Sequence, residues 1–521
     1  MQDAADRSRY DSGSFTAADQ VRQTFQAALD VEPESLALRF DGRSYSRAEL
    51  RAAVREIADM LAAAGLCDGA PVAWLARNSP ELIAASLALL TTGRTMCVVN
   101  PHETPGMIAA RLRDLAMPAV VGVAQDWSSE VREAVAAYGG VGLRLDLDAD
   151  RPAQFVEGLA ELGAGPFRSL PSGTTLELIT SGTTGDPKRI PISAERFLKG
   201  IAWGTRRELR DGPRIERPPG ERSPALLFAP FSHASGVFLH LLAIKEARPI
   251  VLRERFRAEH WLEDVRMHRP KVSNLVPAAI AMVMASDATR DDLSSLIVVR
   301  SGTAPLDPNL RLAFEERFGV PVLLEYGASE FIGGITVWTL ADYARHKKTK
   351  AASVGRPKPD VEVRIVNPQT GEPEPVGQVG ALVLKSDRIG PDWVRTTDLA
   401  SLDDDGFLYI HGRLDQAINR GGFKILPESV AQVLRRHPSV REVVILGARD
   451  AVLGQVPIAA VELKPDAGAD ALESLRAFAA GNLAKYQMPV AFELFDVLPR
   501  TQSLKVSLPG IKQQLAGRYA F

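Results

Sequence analysis

Short apolar runs separated by amphipathic stretches recur along much of this chain, and that rhythm constrains its fold more than any other property. Ser46 to Gly65 reads as an amphipathic helix. Ser46 and Glu49 form a capping-box pair, Leu50, Val54, Ile57 and Leu61 recur at helical spacing, and Gly65 can close the last turn in a left-handed conformation. Pro71 to Ala76 follows as a strand, Ser79-Pro80 opens a helix running to Leu90, and Met96 to Val99 is a buried strand. This β-α-β order continues with apolar strands at Ala225 to Ala229, Ile250 to Leu252, Val272 to Val276, Leu296 to Val299 and Val322 to Leu324. Helical stretches such as Ala258 to His268 and Asn309 to Phe318 lie between them. Strands of this kind need cover on both faces, so the order predicts an α/β fold of mainly parallel, helix-covered sheets. In such sheets ligands gather at the carboxyl ends of strands, and the loops there are where chemistry is to be sought.

Beyond Gly355 the texture changes. Val361 to Val366 and Gln378 to Leu384 alternate like half-exposed antiparallel strands, with Pro/Gly-rich turns between them, which predicts a β-rich subdomain. Gly412 to Gln416 reads as a joint. After it come a helix at Glu428 to Arg436, a strand at Glu442 to Leu446 and a helix at Ala471 to Leu483, enough for a small α+β domain. With 521 residues the chain exceeds what one ordinary core sustains. The expected division is a large N-terminal domain over 1–412 and a small C-terminal domain over 413–521.

Charge and cysteine content exclude several classes. Lys and Arg number 62 against 64 Asp and Glu, a net charge of −2, which gives no support for a nucleic-acid partner or an anionic-membrane binder. Cys67 and Cys97 are the 2 cysteines; they form no disulfide framework and have no metal-ligand spacing, so a reducing compartment is expected. Met1 to Phe15 is polar and charged, unlike a secretory signal, and the apolar run Leu82 to Leu90 is too short to span a bilayer. A cytoplasmic protein without a membrane span is the expectation.

The most informative segment follows the apolar run Leu176 to Ile179. It is Thr180, Ser181, Gly182, Thr183, Thr184, Gly185, Asp186, Pro187 and Lys188. The glycines let the backbone turn and present consecutive N–H groups, the hydroxyls add donors, and Lys188 adds a mobile positive charge, a combination that can envelop a polyphosphate. A generic Gly-rich stretch is more often a plain surface loop; the full string is far more specific. It is not a Walker loop, because no Ser or Thr follows the lysine.

This string resembles the phosphate loop of the adenylate-forming superfamily, which contains acyl-CoA synthetases, the adenylation domains of peptide synthetases, and luciferases. The similarity runs from about Leu36 to Lys505, with the motifs in the family's order. It implies activation of a carboxylic acid by ATP as an acyl-adenylate, release of pyrophosphate, and transfer of the acyl group to a thiol or another nucleophile. It also implies that the small C-terminal domain is mobile.

Further motifs take roles from the same resemblance. Glu325, Tyr326, Gly327, Ala328, Ser329 and Glu330 follow the strand at Val322 to Leu324 and are similar to the family's Tyr-Gly-x-Thr-Glu. There Tyr326 would stack on adenine, Ser329 would hydrogen-bond the α-phosphate and Glu330 would hold Mg²⁺. Ser301, Gly302, Thr303, Ala304 and Pro305 look like the small-residue turn whose backbone contacts adenine and the acyl group. Phe231 to Gly236 resembles a segment beside the acid pocket, where His233 would line or gate the acyl site and Ser232 replaces the usual aromatic residue. Trp393 to Asp398 matches the family's Arg-Thr-Gly-Asp with Thr397 in place of Gly; Asp398 would accept hydrogen bonds from both ribose hydroxyls. The connection Ser386 to Asp392 before that motif is shorter than in most relatives.

Tyr409 to Asp415 matches the family's hinge segment, so Arg413 would contact ribose and phosphate and Asp415 would be the pivot. Gly421, Gly422, Phe423 and Lys424 resemble the loop that borders the pantetheine tunnel after rotation, with Lys424 meeting the phosphates in one state. Leu498 to Lys505 resembles the terminal motif, in which Lys505 bridges the attacking carboxylate and an α-phosphate oxygen. Leu504 stands where that motif has Gly, and Gln487 where many relatives have Lys. The Arg-rich stretch Arg206 to Arg222 is interleaved with Glu and Asp and reads as a solvated surface loop.

The reading these motifs support best is an ATP-dependent carboxylic acid–CoA ligase using ATP, Mg²⁺ and coenzyme A. Ser232, Ala234, Val237, Gly302, Ile332 and Gly333 are candidate pocket positions, small or aliphatic, which suit an apolar acid. One alternative keeps adenylation and changes the acceptor to an amine or a carrier protein. Another, of a different class, is a non-catalytic nucleotide-binding relative, against which the retention of Lys188, Glu330, Asp398, Arg413 and Lys505 counts.

Overall fold

The computed structural model describes residues 15–180, 188–205, 218 and 221–521. The described residues form two compact units, one up to residue 256 and the other from residue 257. The fold is mixed α/β, with parallel helix-covered sheets, a β-rich subdomain and a small α+β region at the C-terminal end.

In the first unit the expected β-α-β rhythm produces a seven-stranded sheet. Its order is Ala153–Phe155, Val141–Leu145, Ala119–Val123, Pro71–Leu75, Thr95–Val99, Thr174–Thr180 and Lys188–Ser193. The inner strands run parallel and the two edge strands pair antiparallel. One face buries Ala73, Leu75, Cys97 and Val99 against Ile108, Leu112, Val131 and Val135 of two helices. The helix Pro80–Thr91 is buried nearly all round, which is why its sequence is apolar without an amphipathic stripe. The helix Arg47–Ala63 is capped as expected: Ser46 accepts from the Glu49 N–H while the Glu49 carboxylate accepts from the Ser46 N–H. A second sheet orders Ala225–Leu227, Ile250–Leu252, Leu36–Phe40 and Arg43–Ser46, so the first strand of the chain pairs in parallel with one far along it.

The second unit opens with a three-stranded parallel sheet, Val272–Asn274, Val298–Ser301 and Val322–Leu324. The middle strand begins later than Leu296. Leu296 still closes a turn to the Leu293 carbonyl, and Ile297 is exposed, so the ladder starts at Val298 and reaches Ser301. The β-rich part is a four-stranded antiparallel meander, Glu362–Val366, Gly380–Ser386, Gly390–Leu402 and Leu408–Arg413. The C-terminal sheet pairs Val440–Asp450 with Gly454–Leu463 as a long hairpin, flanked by Ile418–Arg420, Phe423–Ile425 and Ala491–Phe495. The strand expected at Glu442 to Leu446 is longer because Asp450 Oδ1 accepts from the Val452 and Leu453 N–H groups and so folds the chain straight back. The joint expected at Arg413 lies within this unit. Among the described residues, no helix is long and apolar enough to cross a membrane.

Candidate functional site

The two ends of the phosphate-loop string, Thr180 and Lys188, lie on paired strands of the first unit. Thr174–Thr180 extends the parallel sheet, Lys188–Ser193 returns beside it, and Thr180 faces Lys188 in register. Residues 181–187, and with them Ser181, Gly182, Thr183, Thr184 and Gly185, lie outside the described residues, as do 206–217, 219 and 220 of the Arg-rich stretch. The base of this strand pair is anchored by charge. Glu177 is fully buried and accepts from Arg168 at 2.8 and 2.6 Å, with Arg189 Nη1 at 3.8 Å. Arg189 also donates to Asp114 at 2.7 Å, so the strand that carries exposed Lys188 is tied down next to it.

His233 is the N-cap of the helix Ala234–Lys245. Its Nδ1 accepts from the Ser235 N–H at 3.3 Å and lies 2.9 Å from Ser235 Oγ. An accepting Nδ1 places the neutral ring's proton on Nε2. The preceding Phe231 is buried, stacks on Trp74 at 5.9 Å, and donates its N–H to Asn78, which fixes the entry into the helix. Ser232 and Ala234 are half-buried and Val237 is buried.

In the second unit two neighbouring parallel strands deliver their motifs side by side. Ser301 pairs with Leu324, and the Glu325 N–H donates to the Ser301 carbonyl at 2.8 Å. A Cβ on Gly302 would lie 2.7 Å from the Glu325 carbonyl oxygen, so only glycine fits there. Thr303, exposed, is held at φ +70, a left-handed conformation unusual for a β-branched residue, and Ala304 follows half-buried.

Tyr326, Asp398 and Arg413 come from three separate motifs and meet. The Tyr326 hydroxyl donates to Asp398 Oδ2, and Asp398 stands opposite Arg413 across an antiparallel ladder. Arg413 donates bidentately to Asp415, at 3.0 and 2.7 Å, and to Thr397 Oγ1 at 2.8 Å. Thr397, the departure from the family's glycine, thus supplies a hydroxyl that orients Arg413. Burial pushes the Asp398 carboxyl up, and the Tyr326 hydrogen bond and Arg413 charge pull against it.

Gly327–Ala328 and Gly333–Gly334 form a small antiparallel ribbon whose tip is a 3₁₀ turn over Ser329–Phe331. Ser329 and Glu330 are half-buried on that tip. Among the described residues no group of three or more His, Cys, Asp or Glu could hold a metal ion. A single carboxylate suits Mg²⁺ that arrives on nucleotide phosphates, which supply most of its remaining ligands. The Glu325 carboxylate is turned to buried Lys358 at 2.7 Å, and Lys358 and Arg300 hold it low against the upward push of burial. Lys358 had no motif to mark it; its place between Pro357 and Pro359 is the sole trace in the sequence.

Lys424 is exposed on Phe423–Ile425, beside Phe423, which stacks on Tyr486 at 4.8 Å. Lys505 is half-buried at the end of a tight turn. Leu504, just before it, has φ +62, its N–H donates to the Thr501 carbonyl at 2.9 Å, and its carbonyl accepts from Arg500 at 3.2 Å. Leu504 therefore adopts the backbone conformation that the family's glycine makes easy. Burial pulls the Lys505 ammonium below the ordinary lysine range.

Comparison with known proteins identifies the family. Residues 25–391 match the AMP-binding enzyme family and residues 429–505 match the AMP-binding enzyme C-terminal domain. The chain is 27% identical to 4-coumarate–CoA ligase-like 9 of Oryza sativa subsp. japonica over 499 residues, 89% of this chain and 86% of that protein. ATP-bound MatB from Rhodopseudomonas palustris superposes with a TM-score of 0.80 at 22% identity, covering 95% of this chain and 99% of that one. Amide bond synthetase McbA from Marinactinospora thermotolerans does so with a TM-score of 0.78 at 25% identity, again over 95% and 99%. The chain belongs to the AMP-binding enzyme family of adenylate-forming ligases and carries that family's C-terminal domain.

Proposed function

We propose that the chain activates a carboxylic acid with ATP as an acyl-adenylate and then transfers the acyl group to coenzyme A. The observation that carries this reading is the joined set Tyr326, Asp398, Thr397, Arg413 and Asp415, in which Tyr326 reaches two motifs on adjacent strands more than seventy residues further along. In the first half-reaction a carboxylate oxygen attacks the α-phosphorus, the bond to the bridging oxygen breaks, and pyrophosphate leaves with the electron pair. The loop from Thr180 to Lys188, with Ser181, Gly182, Thr183, Thr184 and Gly185, holds the phosphates. Tyr326 and the turn Gly302, Thr303 and Ala304 bound the adenine, Ser329 contacts the α-phosphate, and Asp398 and Arg413 take the ribose. Lys505 offsets the charge that builds up on the α-phosphoryl oxygens as the bond forms. When bound, Mg²⁺ would neutralise phosphate charge, and Glu330 is the residue that would hold it. His233, protonated on Nε2, borders the acid.

In the second half-reaction the coenzyme A sulfur attacks the acyl carbonyl, AMP leaves with the electron pair, and the thiol proton passes to solvent. The region after residue 412 turns about Asp415 between the two steps, withdrawing Lys505 and bringing up Gly421, Gly422 and Lys424. The name of the rice relative supports the CoA acceptor. A second reading, transfer to an amine, is favoured by the similarity to McbA over nearly the whole chain. A panel of aryl, fatty and alicyclic acids with ATP, Mg²⁺ and either coenzyme A or amines distinguishes them by product mass. A thioester is the expected product. An amide with no thioester would transfer the assignment to the second reading, and acid-independent AMP release would remove both.

A further inference from the structure

The short connection Ser386 to Asp392 is built around a buried charge that the roles assigned so far do not use. Ser386 pairs with Gly390, so residues 387–389 form the tip of a hairpin. A hairpin-tip arginine is ordinarily solvated, yet Arg388 is 1% exposed. Its Nε donates to Asp360 at 2.7 Å. Its Nη2 donates to the Gly334 carbonyl at 3.2 Å, and Nη1 points at the carbonyls of Ile332 and Phe331 at 3.4 and 3.5 Å. These carbonyls belong to the ribbon whose tip is Ser329–Phe331. Where they converge, Ile332 closes the turn in a left-handed conformation at φ +55, with Gly333 next at φ +106. A branched residue held there needs its surroundings to compensate, and a planar guanidinium facing three carbonyls does so. Asp360 lies two residues from Lys358, which holds Glu325 beside Gly334, so one short segment fastens both strands of the ribbon at its base.

We infer that Arg388 is a positioning residue: through the carbonyls of 331, 332 and 334 it holds Ser329 and Glu330 in the geometry that receives the divalent cation carried by ATP. This rests on reading Ser329 and Glu330 as nucleotide-facing. Lysine at 388 keeps the charge and loses the fork, so Arg388→Lys is the informative variant. Asp360→Asn, which leaves Arg388 in place and removes the carboxylate that orients it, is the second.

The first measurement is hydrogen–deuterium exchange of the ligand-free full chain. In both variants, exchange across 325–335 is expected to rise at least about tenfold, while peptides from the strands Pro71–Leu75 and Gly454–Leu463 stay as in the native chain. The second is ATP affinity without any acid, by equilibrium dialysis in Mg²⁺ and in EDTA. Arg388→Lys is expected to weaken binding in Mg²⁺ at least about tenfold and to leave binding in EDTA within about twofold. Glu330→Gln is expected to do the same, and the double variant to bind no worse than Glu330→Gln. Unchanged exchange at 325–335, equal weakening with and without Mg²⁺, or losses that multiply in the double variant would overturn the inference. Neither measurement requires adenylation, so failure of the acid-activation reading is seen separately, as absence of acid-dependent pyrophosphate release.

Discussion

At the scale of single residues, the backbone conformation before Lys505 outlives the glycine that usually provides it. Leu504 at φ +62 places a Cβ where an L-residue is strained by about 1 kcal/mol or more. Leu504→Gly and Leu504→Ala both remove the side chain, but only the alanine keeps the strained Cβ. The glycine variant is expected to be more stable than the alanine variant by about 1 kcal/mol in chemical denaturation, and equal stabilities would contradict the left-handed assignment. Lys505 has its own signature. Because burial lowers its pKa, the unfolded chain binds that proton more tightly than the folded one. The charged lysine therefore costs stability in full below its lowered pKa, and the cost fades as pH rises toward the ordinary lysine value. Lys505→Met is expected to raise Tm at neutral pH, with an advantage that narrows as pH climbs toward about 10; a gap independent of pH would show that burial is not its cause. Of the residues in play here, Tyr326, Asp398 and Arg413 were legible because each sits in a string of unusual composition. Arg388 and Lys358 were not. Each is one cation among 62 Lys and Arg, and no motif marks either as buried.

At the scale of elements, hydrophobic period carried most of the reading. The capped helix Arg47–Ala63 and the strands Ile250–Leu252 and Val322–Leu324 fall where spacing and apolarity put them. The misplaced ends have one cause. Strand limits depend on the partner, as at Val298–Ser301, whose ladder follows Val322–Leu324, and at Val440–Asp450, whose length is set by the Asp450 turn. The ribbon 327–334 lacked any periodic signal, being two residues a side. Gly334 lets it pass over an ion pair. A Cβ on Gly334 would fall 1.9 Å from Glu325 Oε1, and Glu325 cannot swing away without leaving Lys358. Gly334→Ala is expected to destabilise the chain by about 1–3 kcal/mol, read from its denaturation midpoint. Gly517→Ala, where a Cβ meets nothing within 4 Å and the backbone, like that of Gly334, is outside the left-handed region, is the control for adding a methyl without a clash. If the two variants lose the same stability, the packing of Gly334 on Glu325 is not what matters.

At the scale of the whole molecule, length said that the chain needs more than one core, and the described residues form two compact units; charge gave no support for a nucleic-acid partner or an anionic-membrane binder. The α/β class was legible because parallel strands announce themselves as apolar runs; the order of strands was not, since the neighbour of Leu36–Phe40 is Ile250–Leu252, far along the chain. A net charge of −2 is compatible with a polyanionic substrate, since the proposed function needs only a few cations, Lys188, Arg413 and Lys505. The proposed division at residue 412 matters to the proposed function, as it puts Lys505 on the part proposed to turn about Asp415. The central claim, that these residues form an acyl-adenylate, is tested most directly by acid-dependent exchange of labelled pyrophosphate into ATP by the native chain and by Lys505→Ala. The account predicts exchange that requires the acid and falls at least about a hundredfold in Lys505→Ala, with ATP binding retained. Exchange that ignores the acid, or that survives the substitution unchanged, would contradict it.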